Sequence, residues 1–181
     1  MEKEKGKIME ISIICHGNVV RSQILHHYLA KYVNRASLSI DLFSCGTAPI
    51  CTYPEIDRLL ADVQRELRKR GLNGAVKRNI LDEEALQHLA SSDLILVADT
   101  DRKKEILSRL GDQALTKKVM LFYEFIGEGQ HDFIDTYDAS KEVQDPERFA
   151  SCFNELERIA KLAIEQIQRK GNNETSNFHL V

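Results

Sequence analysis

Cys15, Gly17, Asn18, Arg21 and Ser22 all fall in the run CHGNVVRS at residues 15–22, and each brings a different chemical capability to one spot. A cysteine thiol becomes a strong nucleophile once ionised, and nearby positive charge or hydrogen bonds favour the ionised form. Arginine adds a permanent charge in a planar fork that can hold two phosphoryl oxygens at once, which lysine cannot do. Gly17 lets the backbone approach a ligand closely. Asn18 tolerates a left-handed backbone and carries an amide that can pin a loop. His16 is beside the thiol, placed to line a pocket or tune the thiol's ionisation. The chemistry this set defines is attack by a thiolate on phosphorus within a cradle of donors.

Such residues need a strand to deliver them and a helix to receive them. Ile11, Ile13 and Ile14 form a β-branched run suited to a buried strand. Ser22 followed by QILHHYLAKYV reads as an N-cap ahead of an amphipathic helix. A strand-to-helix turn leaves converging backbone N–H groups beside the positive end of the helix, a concavity suited to an oxyanion.

The fuller pattern, C-x-G-N-x-x-R-S directly after a strand near the N-terminus of a chain of 181 residues, resembles the low-molecular-weight protein tyrosine phosphatase family. Residues 44–47, Ser-Cys-Gly-Thr, resemble the family's S-A-G-T segment, which implies that the Ser44 hydroxyl bonds into the phosphate loop. Residues 93–99 resemble its D-L-I-L-x-M-D segment. In the run EVQDP at residues 142–146, Asp145 and Pro146 match the family's D-P pair, which implies that Asp145 is the general acid. After Pro146 the pattern departs from the family, since Glu147 and Arg148 follow, and Asp138 and Asp135 stand as substitutes for that role. The resemblance implies catalytic Cys15, Arg21 and Asp145. Phosphate binding and support fall to His16, Gly17, Asn18, Val19, Val20, Ser22 and Ser44, with no metal or cofactor.

The rest of the chain supplies a frame for that site. Strand patterns at residues 38–43, 92–98 and 118–125 alternate with helical periodicity at 55–70, 82–89 and 101–110, and residues 127–138 read as a polar loop. Phe153, Leu156, Ile159, Ala160, Ala163 and Ile167 give a final helix its apolar face. Alternating strands and helices imply a three-layer α/β sandwich with a parallel sheet, the ligand lying beyond the carboxyl ends of the strands. The resemblance implies four parallel strands in the order 2-1-3-4. Residues 1–170 read as one domain, and 171–181 as a disordered tail.

Composition narrows the function classes. Net charge is −3, no apolar run approaches the ~20 residues of a membrane-spanning helix, and the N-terminal MEKEKGK is charged. Nucleic acid and membrane are therefore not expected partners, and the location expected is the cytoplasm. Cysteines at 15, 45, 51 and 152 lack metal-ligand spacing and are expected to remain thiols, Cys45 being placed to approach Cys15. The expected partner is a phosphorylated protein, with inorganic phosphate as product. The activity read is hydrolysis of protein phosphotyrosine through a cysteinyl-phosphate. Phosphoarginine phosphatases share the scaffold but have threonine where Val19 stands. Arsenate reductases of this fold need two further cysteines near residues 80–90, where this chain has none. A phosphopeptide-binding module that has lost turnover is the non-enzymatic alternative. Ile50 and Tyr53 could wall the pocket.

Overall fold

The computed structural model describes residues 8–48, 56–111, 118–138 and 143–176. Ile50, Cys51 and Tyr53 lie outside these residues. Strand β1 (Met9–Cys15) is central and runs parallel to β2 (Ile40–Gly46) on one side and β3 (Leu94–Val97) on the other. β4 (Val119–Leu121) completes a four-stranded parallel sheet in the order β2-β1-β3-β4, as the resemblance implied.

Strand alternation sorts the core into two layers. Ile11, Ile13 and Cys15 face one side with Leu94 and Leu96; Ile14 faces the other with Cys45, Ile95 and Val97. The first layer is covered by α1 (Arg21–Arg35), α2 (Ile56–Lys69) and α6 (Pro146–Ser176), through Leu25, Val63, Leu67 and Phe153. The second is covered by α3 (Glu83–Ser91) and α4 (Thr100–Leu110), through Leu89 and Ile106. Full burial of such side chains stabilises by roughly 1.5–3 kcal/mol each, which fixes the sheet whose ends carry the site.

Four local readings change. Ser22 does not cap α1: Val20 occupies the N-cap without a side-chain bond, and Ser22 lies inside the first turn, buried. The expected strand at 118–125 stops at Leu121, and α5 (Phe122–Phe125) follows. Phe122 and Phe125, three apart, both reach the core on a helical turn, whereas a continuing strand would have turned Glu124 inward beside Phe122. Glu124 instead accepts from the Leu121 N–H at 3.0 Å and pairs with Lys103 at 2.7 Å. The polar loop ends in a small antiparallel hairpin, β5 (Tyr137–Asp138) with β6 (Val143–Gln144), too short to leave a periodic signal. Finally, α6 runs on to Ser176, beyond the apolar face read for the final helix. Propagating a helix already nucleated on a packed face costs little per residue, ~1 kcal/mol even at glycine.

Candidate active site

The loop between β1 and α1 is built by ties from outside it. The carbonyls of Cys15, His16 and Gly17 accept, in turn, from Thr47 N–H (3.2 Å), Ala48 N–H (2.9 Å) and Arg78 Nε (2.8 Å). In a trans peptide the N–H points opposite to the C=O, so the amides of His16, Gly17 and Asn18 turn toward the inside of the loop. Asn18 makes the turn with φ of 51°, the left-handed conformation its residue type allows. Gly46 makes room for it: a Cβ there would lie 2.6 Å from Gly17 C and 2.7 Å from Asn18 N.

Side-chain bonds then fix the nucleophile. Cys15 Sγ lies 3.0 Å from Ser22 Oγ, and Asn18 Nδ2 donates to that oxygen at 2.8 Å. Asn18 Oδ1 accepts from Gln23 Nε2 at 3.0 Å and from Asn79 N–H at 2.8 Å. Ser44 enters through its backbone: buried at the end of β2, its carbonyl accepts from Asn79 Nδ2 at 2.8 Å. The contact between Ser44 and the loop thus runs through Asn79, which residue spacing did not reveal.

Arg21 is 3% exposed and held by two carboxylates. Nη1 donates to Asp99 Oδ2 at 2.8 Å and to the Phe133 carbonyl at 3.1 Å, and Nη2 donates to Asp135 Oδ2 at 2.5 Å. Burial alone would lower its pKa, but Asp135, Cys15 and Asp99 outweigh that and raise it, so the guanidinium stays charged. Asp99 is itself the N-cap of α4, accepting from Arg102 N–H at 2.9 Å. His16 has its pKa lowered by burial and by Arg102, whose Nη1 donates to His16 Nδ1 at 3.0 Å. The ring beside the nucleophile is thus neutral near neutral pH.

A narrow cleft of about 30 Å³ opens at Cys15, with His16, Val19, Val20 and Arg21 on the loop side and Leu59, Asp135, Tyr137 and Gln144 opposite. Asp145, the acid implied by the D-P pair, does not line it. Its Oδ1 accepts from the N–H groups of Glu147 and Arg148, both at 3.0 Å, and its Oδ2 lies 3.5 Å from Arg148 Nε. That carboxylate caps α6. Asp135, one of the two substitutes, faces the cleft, and its Oδ1 accepts from Tyr137 N–H at 3.1 Å. Asp99, Asn79 and Gln23 were not picked out from the sequence as site residues. Only Asp99 left a signal, as the acidic end of the third strand.

The other described cysteines are separated from this chemistry. Cys45 pairs in register with Ile14, not Cys15, and so points to the opposite face of the sheet. Burial pushes its thiol up to about 12, and the same holds for Cys152 in α6. The expected approach of Cys45 to Cys15 is therefore blocked by strand alternation.

This fold and this cleft define a cysteine-dependent phosphatase, and comparison with known proteins gives the family. The family model described as low molecular weight phosphotyrosine protein phosphatase matches residues 10–173, and the chain belongs to that family. A Klebsiella pneumoniae protein carrying the name low molecular weight protein-tyrosine-phosphatase is 30% identical over 159 residues, covering 87% of this chain and 96% of that protein. The crystal structure of a Vibrio cholerae O395 low molecular weight phosphotyrosine phosphatase superposes with a TM-score of 0.70, at 20% identity, covering 90% of this chain and 99% of that one. The YwlE arginine phosphatase of Geobacillus stearothermophilus superposes with a TM-score of 0.69, at 18% identity, covering 91% and 96%. Both structures share the fold. Among the described residues no helix is long and apolar enough to cross a membrane.

Proposed function

We propose that the protein hydrolyses phosphotyrosine in phosphorylated proteins by a two-step mechanism in which Asp135, not Asp145, is the general acid. The observation that carries the choice of acid is the placement of Asp135 in the Cys15 cleft, with Oδ2 against Arg21 Nη2, while the Asp145 carboxylate is engaged by α6. In the first step Cys15 Sγ forms a bond to phosphorus in line with the ester oxygen, and the P–O bond breaks. Arg21 and the inward amides hold the equatorial oxygens. The proton on Asp135 passes to the departing phenolate, whose conjugate acid has a pKa near ~10 and which is otherwise costly to expel. In the second step Asp135 takes a proton from water as that water attacks phosphorus. The S–P bond breaks, the thiolate returns to the Ser22 hydroxyl, and inorganic phosphate leaves.

The walls of the cleft support an aryl substrate. Val19 is buried and apolar, and Leu59 and Tyr137 face it. A guanidinium leaving group would gain from a hydroxyl at that position, and valine has none. The three described cysteines stand as free thiols, which fits action in a reducing compartment such as the cytoplasm. The test is kcat/KM on matched phosphotyrosine and phosphoarginine peptides. Preference for phosphotyrosine is expected, moving toward phosphoarginine in Val19→Thr. The reverse ranking for the unmutated protein would overturn the substrate assignment. Binding of either peptide without release of phosphate would overturn the enzymatic reading.

A further inference from the structure

We infer that Gln23 is a positioning residue for the nucleophile: its amide holds Asn18 in the orientation that leaves the Ser22 hydroxyl hydrogen free to point at Cys15. The inference rests on Cys15 being the nucleophile and does not depend on which phosphoryl group it attacks.

Hydrogen-bond polarity gives Gln23 this role. A serine hydroxyl has one hydrogen to give. Ser22 Oγ has two neighbours, Asn18 at 2.8 Å and Cys15 Sγ at 3.0 Å. If Asn18 presents its NH₂, Ser22 accepts there and its hydrogen goes to sulfur, favouring the thiolate. If Asn18 presents its oxygen instead, that oxygen takes the hydrogen and the thiolate loses its donor. The direction of one amide thus decides whether the nucleophile is stabilised.

Nothing at Cys15 itself sets that direction. Two backbone groups some 60 residues further along the chain do, both in the segment 72–79, which crosses the loop without regular secondary structure. The Asn79 N–H can only donate, and it meets Asn18 at 2.8 Å. The Lys77 carbonyl can only accept, and it meets Gln23 at 2.6 Å; the Asn18 carbonyl, also an obligate acceptor, lies 3.3 Å from the same Gln23 atom. That atom must be the amine of Gln23, and its second hydrogen reaches Asn18 Oδ1 at 3.0 Å. With Cys15 ionised, and so unable to donate, the chain of donors reads from Gln23 to Asn18 to Ser22 to Cys15. Asn18, Ser22 and Gln23 are all at most 2% exposed, so no water competes for these bonds. Gln64 keeps the crossing segment in place, donating to the Gly74 carbonyl and accepting from Val76 N–H, both at 2.8 Å.

The charged groups around Cys15 and its loop are Arg21 on α1, Asp99 and Arg102 at the start of α4, Asp135 before β5, His16 on the loop and Arg78 in the crossing segment, whose Nε bonds the Gly17 carbonyl. The Gln23 side chain bonds Asn18 and the Lys77 carbonyl, and the His27 ring bonds only its backbone carbonyl, so a side-chain substitution at Gln23 keeps these charges in place. The test reads the thiolate directly, by the pH dependence of Cys15 alkylation with iodoacetamide, followed on the Cys15 peptide by mass spectrometry. Gln23→Met removes the donor without adding charge. Gln23→Glu sets an acceptor against Asn18 Oδ1, so Asn18 either loses that partner or turns its NH₂ against the Asn79 N–H, and both weaken its donation to Ser22. A hydrogen bond to a charged group contributes ~1.5–3 kcal/mol, so Gln23→Glu should slow alkylation below the thiol's titration roughly tenfold to a hundredfold. Gln23→Met should do so by a smaller factor. Far-UV circular dichroism establishes that each variant is folded, and Gln23→Met serves alone if the glutamate variant is not. A folded variant of either kind with an unchanged alkylation profile overturns the inference. Turnover of p-nitrophenyl phosphate by the unmutated protein, measured separately, tests the phosphatase reading. If that turnover is absent while alkylation still shifts, the function falls and the role of Gln23 stands.

Discussion

The two regions that meet at Cys15 are held in opposite ways. The phosphate loop is fixed by buried and part-buried bonds drawn from β2, α1 and the crossing segment 72–79, all neutral but the one from Arg78, so that its carbonyls and side chains are held before any ligand arrives and its inward amides are left to the ligand. The segment 133–138, which carries the proposed acid Asp135, reaches the same cleft, but that carboxylate is 40% exposed and held by one ion pair and one turn N–H. The difference follows from what each must do. Donors aimed at charge that develops in the transition state are most effective when they need no reorganisation. A group that must give and later take a proton needs access to solvent and a partner it can release. Arg21 belongs to both regions, bonding Asp99 on one side and Asp135 on the other.

Several substitutions break that contrast, in order of size. Cys15→Ser removes the nucleophile and leaves the cradle, so phosphatase turnover should be lost while calorimetry still detects inorganic phosphate; loss of both would show that the loop depends on the thiol for its shape. Arg21→Lys cuts the link between the regions. Lysine keeps the charge but not the fork, and a fall in kcat of ~10² to 10³ is expected, the range seen for losing one oxyanion donor. An unchanged kcat would mean that the inward amides suffice. Gly46→Ala presses a methyl against backbone atoms of residues 16–18, all within 2.7 Å of the new Cβ. Overpacking of this kind costs ~1–3 kcal/mol, and thermal unfolding should show it together with reduced turnover. A stable, fully active variant would show that the loop yields more easily than its bonds imply.

A separate effect concerns pH. His26 on α1 has its pKa lowered to about 4, by burial first and His27 second, with Asp41 opposing. Its folded value lies below the unfolded 6.5, so the unfolded chain binds more protons between the two. Stability from the neutral ring is complete above pH 6.5 and lost as pH falls toward 4, by up to about 3 kcal/mol. His26→Gln should flatten the fall in Tm over that window. An unchanged slope would assign the acid sensitivity to carboxylates such as Glu157, whose pKa is lowered mainly by the bond from Tyr32.

The same contrast explains what the sequence revealed. The phosphate loop is local, with Cys15, Asn18, Arg21 and Ser22 inside eight consecutive residues, so residue type and spacing bring them to notice without the fold. Sheet order followed from the resemblance, and the layers from strand and helix alternation. What escaped were the long-range ties: Asn79 to Asn18, Gln23 to Lys77 and Asp99 to Arg21 join residues whose spacing carries no local pattern. The choice between the two aspartates turns on the same distinction. Asp145 beside Pro146 reproduces a local pattern, but aspartate before a helix beginning with proline is also what a helix cap requires, and the structure uses it so. Asp135 precedes Thr136 rather than proline and is followed by a hairpin, so only the fold brings it to Cys15.

The central claim is that Cys15 and Asp135 act as nucleophile and acid across one cleft, and the leaving-group dependence of kcat/KM tests it most directly. Phenyl phosphate needs a proton on its leaving oxygen, whereas p-nitrophenyl phosphate expels its phenolate with little help. Asp135→Asn should depress turnover of phenyl phosphate by ~10² to 10⁴ and that of p-nitrophenyl phosphate far less. Asp145→Asn, which keeps a capping side chain on α6, should follow the unmutated protein on both substrates. A leaving-group-dependent loss in Asp145→Asn, with Asp135→Asn unaffected, would contradict the account.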